Sequence, residues 1–255
     1  FHFAGREDAL EAVATSLSAG GPLVVSGSLG SGRTWLVDQA ISKSELTRLP
    51  DITLSRSCGF DALIGRLAEV AACAGDDSLK KLLGGRRTPL QVIETAISCL
   101  KNASGTAEQA MVVAEAHVAM GREACFFRKD RLGMLVHALL TNTYPLRLVF
   151  ISNDQPVFYV HGEAETLARI EMTGLKGKLL FDVFASYKAP EFGRDKFGPL
   201  NDRIHGHPMA ARQYAIEVRD RENGIELLDD PKFLKADSLN DIDSLRKLFR
   251  KKVDK

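Results

Sequence analysis

The sequence predicts an α/β fold, a parallel sheet covered by helices on both faces. Three observations predict it. Short apolar runs alternate with helix-length amphipathic stretches, the pattern of βα units. The runs Leu23-Val24-Val25, Met111-Val112-Val113 and Leu148-Val149-Phe150-Ile151 are apolar without alternation, as strands buried on both faces are. Each run ends in small or polar residues: a Gly-rich loop after Ser26, Glu115 after Ala114, and Asn153-Asp154 after Ser152. Ligands of a parallel sheet sit at the carboxyl ends of its strands, so these three ends define one candidate site.

The elements follow in order. Residues 6–19 read as a helix, with Leu10, Val13 and Leu17 at helical spacing and Gly20-Gly21 as its stop. Residues 22–26 form the first strand, and the loop Gly27–Thr34 opens a helix reaching about Ser42. Ile52–Ser55 is the second strand. Phe60–Cys73 is an amphipathic helix with Leu63, Leu67 and Val70 on one face. Gly75-Asp76-Asp77 and Gly84-Gly85-Arg86-Arg87 bound a segment expected to be a loop insertion. Thr88 caps the next helix, with Pro89 at its first position and Leu90, Ile93, Ala96 and Ile97 on its buried side. A polar loop spans Asn102–Glu108, a strand Ala110–Ala114, a helix Arg128–Leu140 and a strand Arg147–Ser152. Lys178–Val183 is expected to be the last strand. Two helices separated by Gly206-His207-Pro208 follow, and the charged tail from Asp229 is expected to be helical near Leu239–Phe249. This assigns residues 1–187 to an α/β core and 188–255 to a small C-terminal helical lid and the start of a following segment.

Composition narrows the function. The 255 residues are 45% hydrophobic and 26% charged, as in ordinary globular proteins. A net charge of +1 gives no electrostatic indication of nucleic acid. No apolar run approaches the roughly 20 residues of a membrane span. Cys58, Cys73, Cys99 and Cys125 form no C-x-x-C pair, which disfavours zinc and fits reduced thiols. An intracellular, reducing compartment is expected, the cytoplasm first and an organelle matrix second. The chain begins at Phe1 with no signal peptide, and is expected to be part of a longer polypeptide.

The Gly-rich loop carries the chemistry. Gly27-Ser28-Leu29-Gly30-Ser31-Gly32-Arg33-Thr34 has the frame G-x-x-x-x-G-K-[ST], with Arg33 at the lysine position. Glycines at this spacing let backbone N–H groups close around phosphates, and the following helix adds its N-terminal dipole.

With these motifs in order, the chain resembles P-loop NTPases of the AAA+ and STAND group, the signal-transduction ATPases with numerous domains. Gly27–Thr34 resembles their Walker A loop and Met111–His117 their Walker B strand. Ser152-Asn153 resembles the sensor 1 position. Phe3-Ala4-Gly5-Arg6-Glu7 resembles the N-terminal hhGRE motif, and Gly206-His207-Pro208 the G-x-P motif. The resemblance covers residues 3 to about 218. It implies a three-layer P-loop domain that binds ATP or ADP. The implied nucleotide-binding residues are Gly5, Arg6, Gly27, Gly30, Ser31, Gly32, Arg33, Thr34, Trp35 and Pro208. The resemblance implies Thr34 as a ligand of Mg²⁺, and Glu115 and Asn153 as the groups around the attacked phosphate.

Two positions depart from the pattern. Arg33 is planar and forked where lysine is a compact cation. Ala114 stands where the Walker B strand carries its metal-steadying aspartate; in a shifted register Glu115 takes that place and no base is left. Both changes predict retained nucleotide binding with weak or absent hydrolysis. The expected function is a nucleotide switch or oligomerisation module of a larger signalling or assembly protein, with protein partners or copies of itself. Two alternatives stand beside it: a pseudo-ATPase acting as a structural subunit, and an active DNA-associated AAA+ ATPase. Lesser candidates are His117 as a nucleotide sensor, His205 and His207 as metal ligands, Arg212 as a second sensor, and Arg128, Lys129 and Arg131 as an arginine finger. A turn histidine, a helix surface charge and a solvated helix start are their plain counterparts.

Overall fold

A computed structural model describes residues 6–55, 57, 59–121, 127–156, 167–175, 177–190, 194–220 and 226. By internal contacts the chain forms two compact units. One contains Ala9–Gly27 and Arg33–Glu171. The other contains residues 6–8, Ser28–Gly32 and the described residues from Met172 onward.

The first unit is built on a six-stranded sheet. Its strands are β1 (Leu23–Gly27), β2 (Thr47–Arg48), β3 (Ile52–Thr53), β4 (Gln109–Ala114), β5 (Arg147–Ser152) and β6 (Ala168–Met172). Their order is β2-β4-β5-β1-β6, with β3 also on β4. The pairs β1–β5, β4–β5, β2–β4 and β3–β4 all run parallel. Neither neighbour of β1 is its neighbour in sequence, so the loop after β1 opens at a switch in strand order, where such sheets bind ligands.

Side chains alternate across this sheet. Val24, Met111, Val113, Leu148 and Phe150 belong to one core. Covering it are α3 (Gly59–Cys73), α4 (Ser78–Leu83), α5 (Pro89–Asn102) and α6 (Arg131–Leu140). Val25, Val149 and Ile151 are buried from the alternate positions. The helix α2 (Arg33–Lys43) packs on β1 and β5 and buries Leu36, Val37 and Ala40 completely. The helix α1 (Glu7–Ala19) buries Val13 and Leu17. Its last turn is held by Arg147, whose Nε donates to the Leu17 carbonyl at 2.7 Å, satisfying a helix-end acceptor.

Local chemistry sets the helix ends. Thr88 accepts from the Gln91 N–H at 3.3 Å, and the Gln91 side chain accepts from the Thr88 N–H at 3.0 Å. This is a reciprocal capping box, with Pro89 at the first helical position. The Arg128–Leu140 helix starts later than expected, at Arg131, because Asp130 caps it by accepting from the Gly133 N–H at 2.9 Å. Arg131 pairs with Asp61 at 2.8 Å and stacks on Phe60, while Arg128 pairs with Asp130 at 2.5 Å.

Several expectations are corrected. Residues 178–183 are not a strand; they lie in α7 (Lys178–Ser186), and β6 is the last strand among the described residues. A short apolar run reads as strand or helix alike. Here the buried pair Leu180 and Phe184, four residues apart, makes it helical. The soft insertion contains α4, whose Leu79 is completely buried in the first core. The loop Asn102–Glu108 includes a 3₁₀ turn, Ser104–Thr106. The tail from Asp229 lies outside the described residues.

The second unit is helical. Its helices are α7, α8 (Arg194–Ile204) and α9 (Pro208–Asp220), and α7 packs against α9. Leu180, Phe184, Leu200, Ile204, Tyr214 and Val218 form its core. Gly206 turns the chain between α8 and α9 at φ +65, and a Cβ there would strike the Leu175 carbonyl, so only glycine fits. Among the described residues no helix is long and apolar enough to cross a membrane. Cys73 and Cys99 are free thiols; Cys58 and Cys125 lie outside the described residues.

Candidate functional site

Strand register brings the polar strand ends of the α/β unit into one row. Ser26 pairs with Ser152, and Val113 with Phe150. Two residues further along each strand, Glu115 falls level with Ser152. Glu115 does not continue β4. It adopts φ 59, ψ 34 and starts a 3₁₀ turn, Ala116–Ala119. A non-glycine residue in this left-handed conformation costs about 1–2 kcal/mol, so the turn is imposed by its surroundings.

Arg33 is buried at the start of α2, at 7% exposure. Its Nη1 donates to the main-chain carbonyl of Ser152. Burial pushes its pKa down, and the nearby carboxylates of Glu115 and Asp154 oppose that. An arginine stays charged under such a shift. The residue at the lysine position is therefore bound to the end of β5.

Around it lies a second cluster. His117 Nε2 is 3.3 Å from Glu115 Oε2 and 3.2 Å from Asn153 Nδ2. One ring nitrogen does not donate to Glu115 and accept from Asn153 at once. The ring has two exclusive settings: Nε2–H donated to Glu115, or Nε2 accepting from the Asn153 amide. His117 Nδ1 and Asn153 Oδ1 are buried without a hydrogen-bond partner. Burial, with Arg33 adding to it, pushes the His117 pKa down, against Glu115 and Asp154. The Asn153 carbonyl accepts from the Gly27 N–H at 3.3 Å, and Gln155 donates to Ser26 Oγ at 2.6 Å.

The loop Ser28–Gly32 belongs to the helical unit. His207 is buried beside it. Its Nε2 donates to the Leu29 carbonyl at 2.7 Å, and its Nδ1 accepts from the Ala210 N–H at 3.4 Å. Gly30 has φ +82, and a Cβ there would sit 3.0 Å from His207 Cε1 and 2.9 Å from Met209 Cε. Ser31 Oγ is buried and lacks a partner.

The sequence-selected residues fall as follows. Arg33, Glu115 and Asn153 share one cluster, with Gly27 hydrogen-bonded at its edge. Thr34 and Trp35 stand in the first turn of α2, Thr34 exposed and Trp35 half-buried. Gly30 and Ser31 lie with His207, and Gly32 follows at φ +95. Pro208 opens α9. Arg6 is buried and donates from Nη2 to the Thr173 carbonyl at 2.6 Å. Gly5 lies outside the described residues. Arg212 stacks over the Tyr187 ring, 5.6 Å from its centroid. Three participants were not singled out as site residues for these contacts: Asp154 beside Arg33, His117 as the link between Glu115 and Asn153, and His207 as the partner of Leu29. Each carried a sequence signal for its place but not for its contact: Asp154 follows Asn153, His117 closes the Met111–His117 segment, and His207 stands between Gly206 and Pro208.

The loop suits a phosphate. Gly30 and Gly32 hold positive φ, a backbone conformation that lets loop N–H groups turn toward an anion, and Ser31 offers a buried hydroxyl without a partner among the described residues. A magnesium ion is suited less. Thr34 offers an oxygen, but the Ala114 side chain offers none, Glu115 is turned onto His117, and Asp154 is exposed. Among the described residues no group of three His, Cys, Asp or Glu side chains is placed to hold a metal ion.

A search of curated proteins returns no match. Solved structures of similar architecture include a STAND protein with a tetratricopeptide repeat sensor from Pyrococcus horikoshii. It is 14% identical with a TM-score of 0.54, and the match covers 89% of this chain and 32% of that one. The chain thus spans about a third of that protein's length. A Walker-type ATPase of Pyrococcus abyssi is 12% identical, with a TM-score of 0.49 and coverage of 98% and 76%. Thermotoga maritima RuvB is 13% identical, with a TM-score of 0.49 and coverage of 97% and 70%. At these identities the first likeness shows the fold alone. The sequence itself matches a model of the novel STAND NTPase 6 family over residues 3–156, more than half of its length. The chain belongs to this family of STAND NTPases, and is a P-loop NTPase module.

Proposed function

We propose that the chain binds ATP or ADP as a switch or oligomerisation module of a larger signalling or assembly protein, with little or no hydrolysis. The observation that carries this reading is the placement of Arg33. Its guanidinium is committed to the Ser152 carbonyl and lies in the field of the Glu115 and Asp154 carboxylates. A cation held there is a fixture of the strand ends rather than a free arm for a transferring phosphate. Ala114 removes the neighbouring carboxylate, and catalysis of phosphoryl transfer depends on such positioned charges. Ground-state binding relies more on the loop's backbone N–H groups, which the glycines of the loop leave accessible.

The switch part rests on the loop's membership in the helical unit. A phosphate seated on Ser28–Gly32 acts directly on Leu29, and through its carbonyl on His207 and α9. A local charge event then biases a packed element, as in other nucleotide switches. Protein partners or further copies of the chain would read that element.

Titration calorimetry with ATP and with ADP tests the reading, run beside a phosphate-release assay. Binding of both nucleotides with negligible release is expected. No binding at millimolar nucleotide overturns the switch, and robust turnover overturns the loss of hydrolysis. The structural-subunit reading is favoured by Arg33 and Ala114 together, and it becomes the better one if nucleotide fails to bind.

A further inference from the structure

We infer that this chain holds its nucleotide without a divalent metal ion, the buried Arg33 guanidinium serving as the fixed cation at the strand ends. The inference rests on the nucleotide-binding reading above and concerns the metal that the family implies.

The argument is one of oxygen ligands and charge. A magnesium ion bound with nucleotide takes few protein oxygens, but those must be well placed, because its geometry is near-ideal octahedral. The metal-side carboxylate of β4 is absent, since Ala114 ends that strand. The next residue, Glu115, leaves the strand in a left-handed turn and aims its carboxylate at His117 Nε2, 3.3 Å away. The remaining acid of the row, Asp154, is exposed and lies in the field of Arg33. A divalent ion entering there would approach the buried Arg33 charge with no carboxylate on β4 to receive it.

The same guanidinium suits the anion. Arginine is permanently charged, and its remaining N–H groups, beyond the one on Ser152, are free of any geometric demand from a metal. A phosphate that meets Arg33 has part of its charge offset by the chain itself. Two buried polar atoms of the same cluster, Asn153 Oδ1 and His117 Nδ1, lack partners among the described residues. Of the two only Asn153 Oδ1 is an oxygen, and one neutral amide oxygen does not replace the carboxylate charge that is missing at Ala114.

The test is titration of ADP into the whole chain by calorimetry, in buffer with millimolar magnesium and in buffer with excess EDTA. Dissociation constants within about threefold of each other are expected. Binding at least about tenfold tighter with magnesium overturns the inference and leaves the nucleotide-binding reading intact. No binding in either buffer overturns that reading, and the inference with it. A second readout follows the metal alone: the electron spin resonance signal of free manganese, with ADP present, should stay level or rise on adding the chain, because ADP held without metal leaves manganese free. A loss of that signal beyond what ADP itself causes overturns the inference. The Ala114→Asp variant checks the cause. It should gain magnesium dependence of about tenfold or more in ADP affinity. An Ala114→Asp variant that binds ADP equally in both buffers overturns the assignment of metal independence to this position.

Discussion

His207 is tied to Leu29 by a hydrogen bond from its Nε2 to the Leu29 carbonyl, at 2.7 Å. Its other ring nitrogen accepts from the Ala210 N–H. Both partners fix the tautomer: the proton is on Nε2 and the ring is neutral. One imidazole thus joins the tip of the Gly-rich loop to the first turn of α9.

Stability should fall on acidification through this ring. Burial lowers the His207 pKa below its ordinary value near 6.5, with the bond to Leu29 opposing. The unfolded chain then binds the proton more readily than the folded one. The stabilising contribution is fully present above the unfolded pKa, and is lost as pH falls from there toward the folded pKa. His117, also lowered by burial, adds to the same slope. Thermal melts between pH 5 and pH 8 should show a midpoint falling toward the acid end. His207→Gln keeps a donor for Leu29 and should flatten part of that fall, leaving the share due to His117. An unchanged slope in His207→Gln would show that the ring does not report the loop.

Gly30→Ala should damage the loop directly. The residue sits at φ +82, where an L side chain costs about 1–2 kcal/mol. The added methyl would also meet His207 Cε1 at 3.0 Å. The nearby Met209 terminus has room to swing, whereas the ring is held by two hydrogen bonds. We expect a melting point lower by roughly 2–8 °C and weaker ADP binding. Wild-type affinity in Gly30→Ala, measured by calorimetry, would remove Gly30 from the phosphate site.

The capping box of α5 gives a control away from the site. Thr88→Ala removes the acceptor for the Gln91 N–H and should cost about 0.5–2 kcal/mol. Thr88→Ser should restore most of it. Hydrogen exchange at the first turn of α5 is the readout, and nucleotide affinity should not move.

What the sequence made legible was mostly what side-chain pattern specifies. The strands β1, β4 and β5 are continuous apolar runs because both faces are buried, and the capping box is written in Thr88, Pro89 and Gln91. The elements missed lack such a pattern. Thr47 and Arg48 of β2 are exposed and join the sheet by backbone bonds alone, so no side chain marks them. The strand β6, Ala168–Met172, is only half-buried along most of its length, whereas Lys178–Val183 looks like a strand until its buried partner Phe184 is counted. At the candidate site the sequence pointed to Arg33, Glu115 and Asn153. It did not show that Arg33 turns onto Ser152, or that His117 stands between the other two. Those facts depend on contacts across 119 and 36 residues of chain, which no local period encodes.

The weakness of the catalytic arrangement should be repairable if Arg33 and Ala114 alone account for it. Arg33→Lys replaces a planar fork that reaches Ser152 with a single ammonium, and frees the Ser152 carbonyl. Ser152 is buried, and losing a hydrogen bond from a charged donor there costs about 1.5–3 kcal/mol, so this variant alone should be less stable. Ala114→Asp alone sets a carboxylate beside a cation still bound elsewhere. Together the changes give lysine and aspartate at the two altered positions, and phosphate release from ATP should rise on the order of tenfold or more over the parent chain, since single positioned charges commonly contribute 10²–10³ in rate. Each single variant should rise less than the double. Equal phosphate release in the parent and the double variant, with ATP still bound, would place the defect elsewhere: at Glu115, whose left-handed turn and contact with His117 then hold it away from the attacked phosphate.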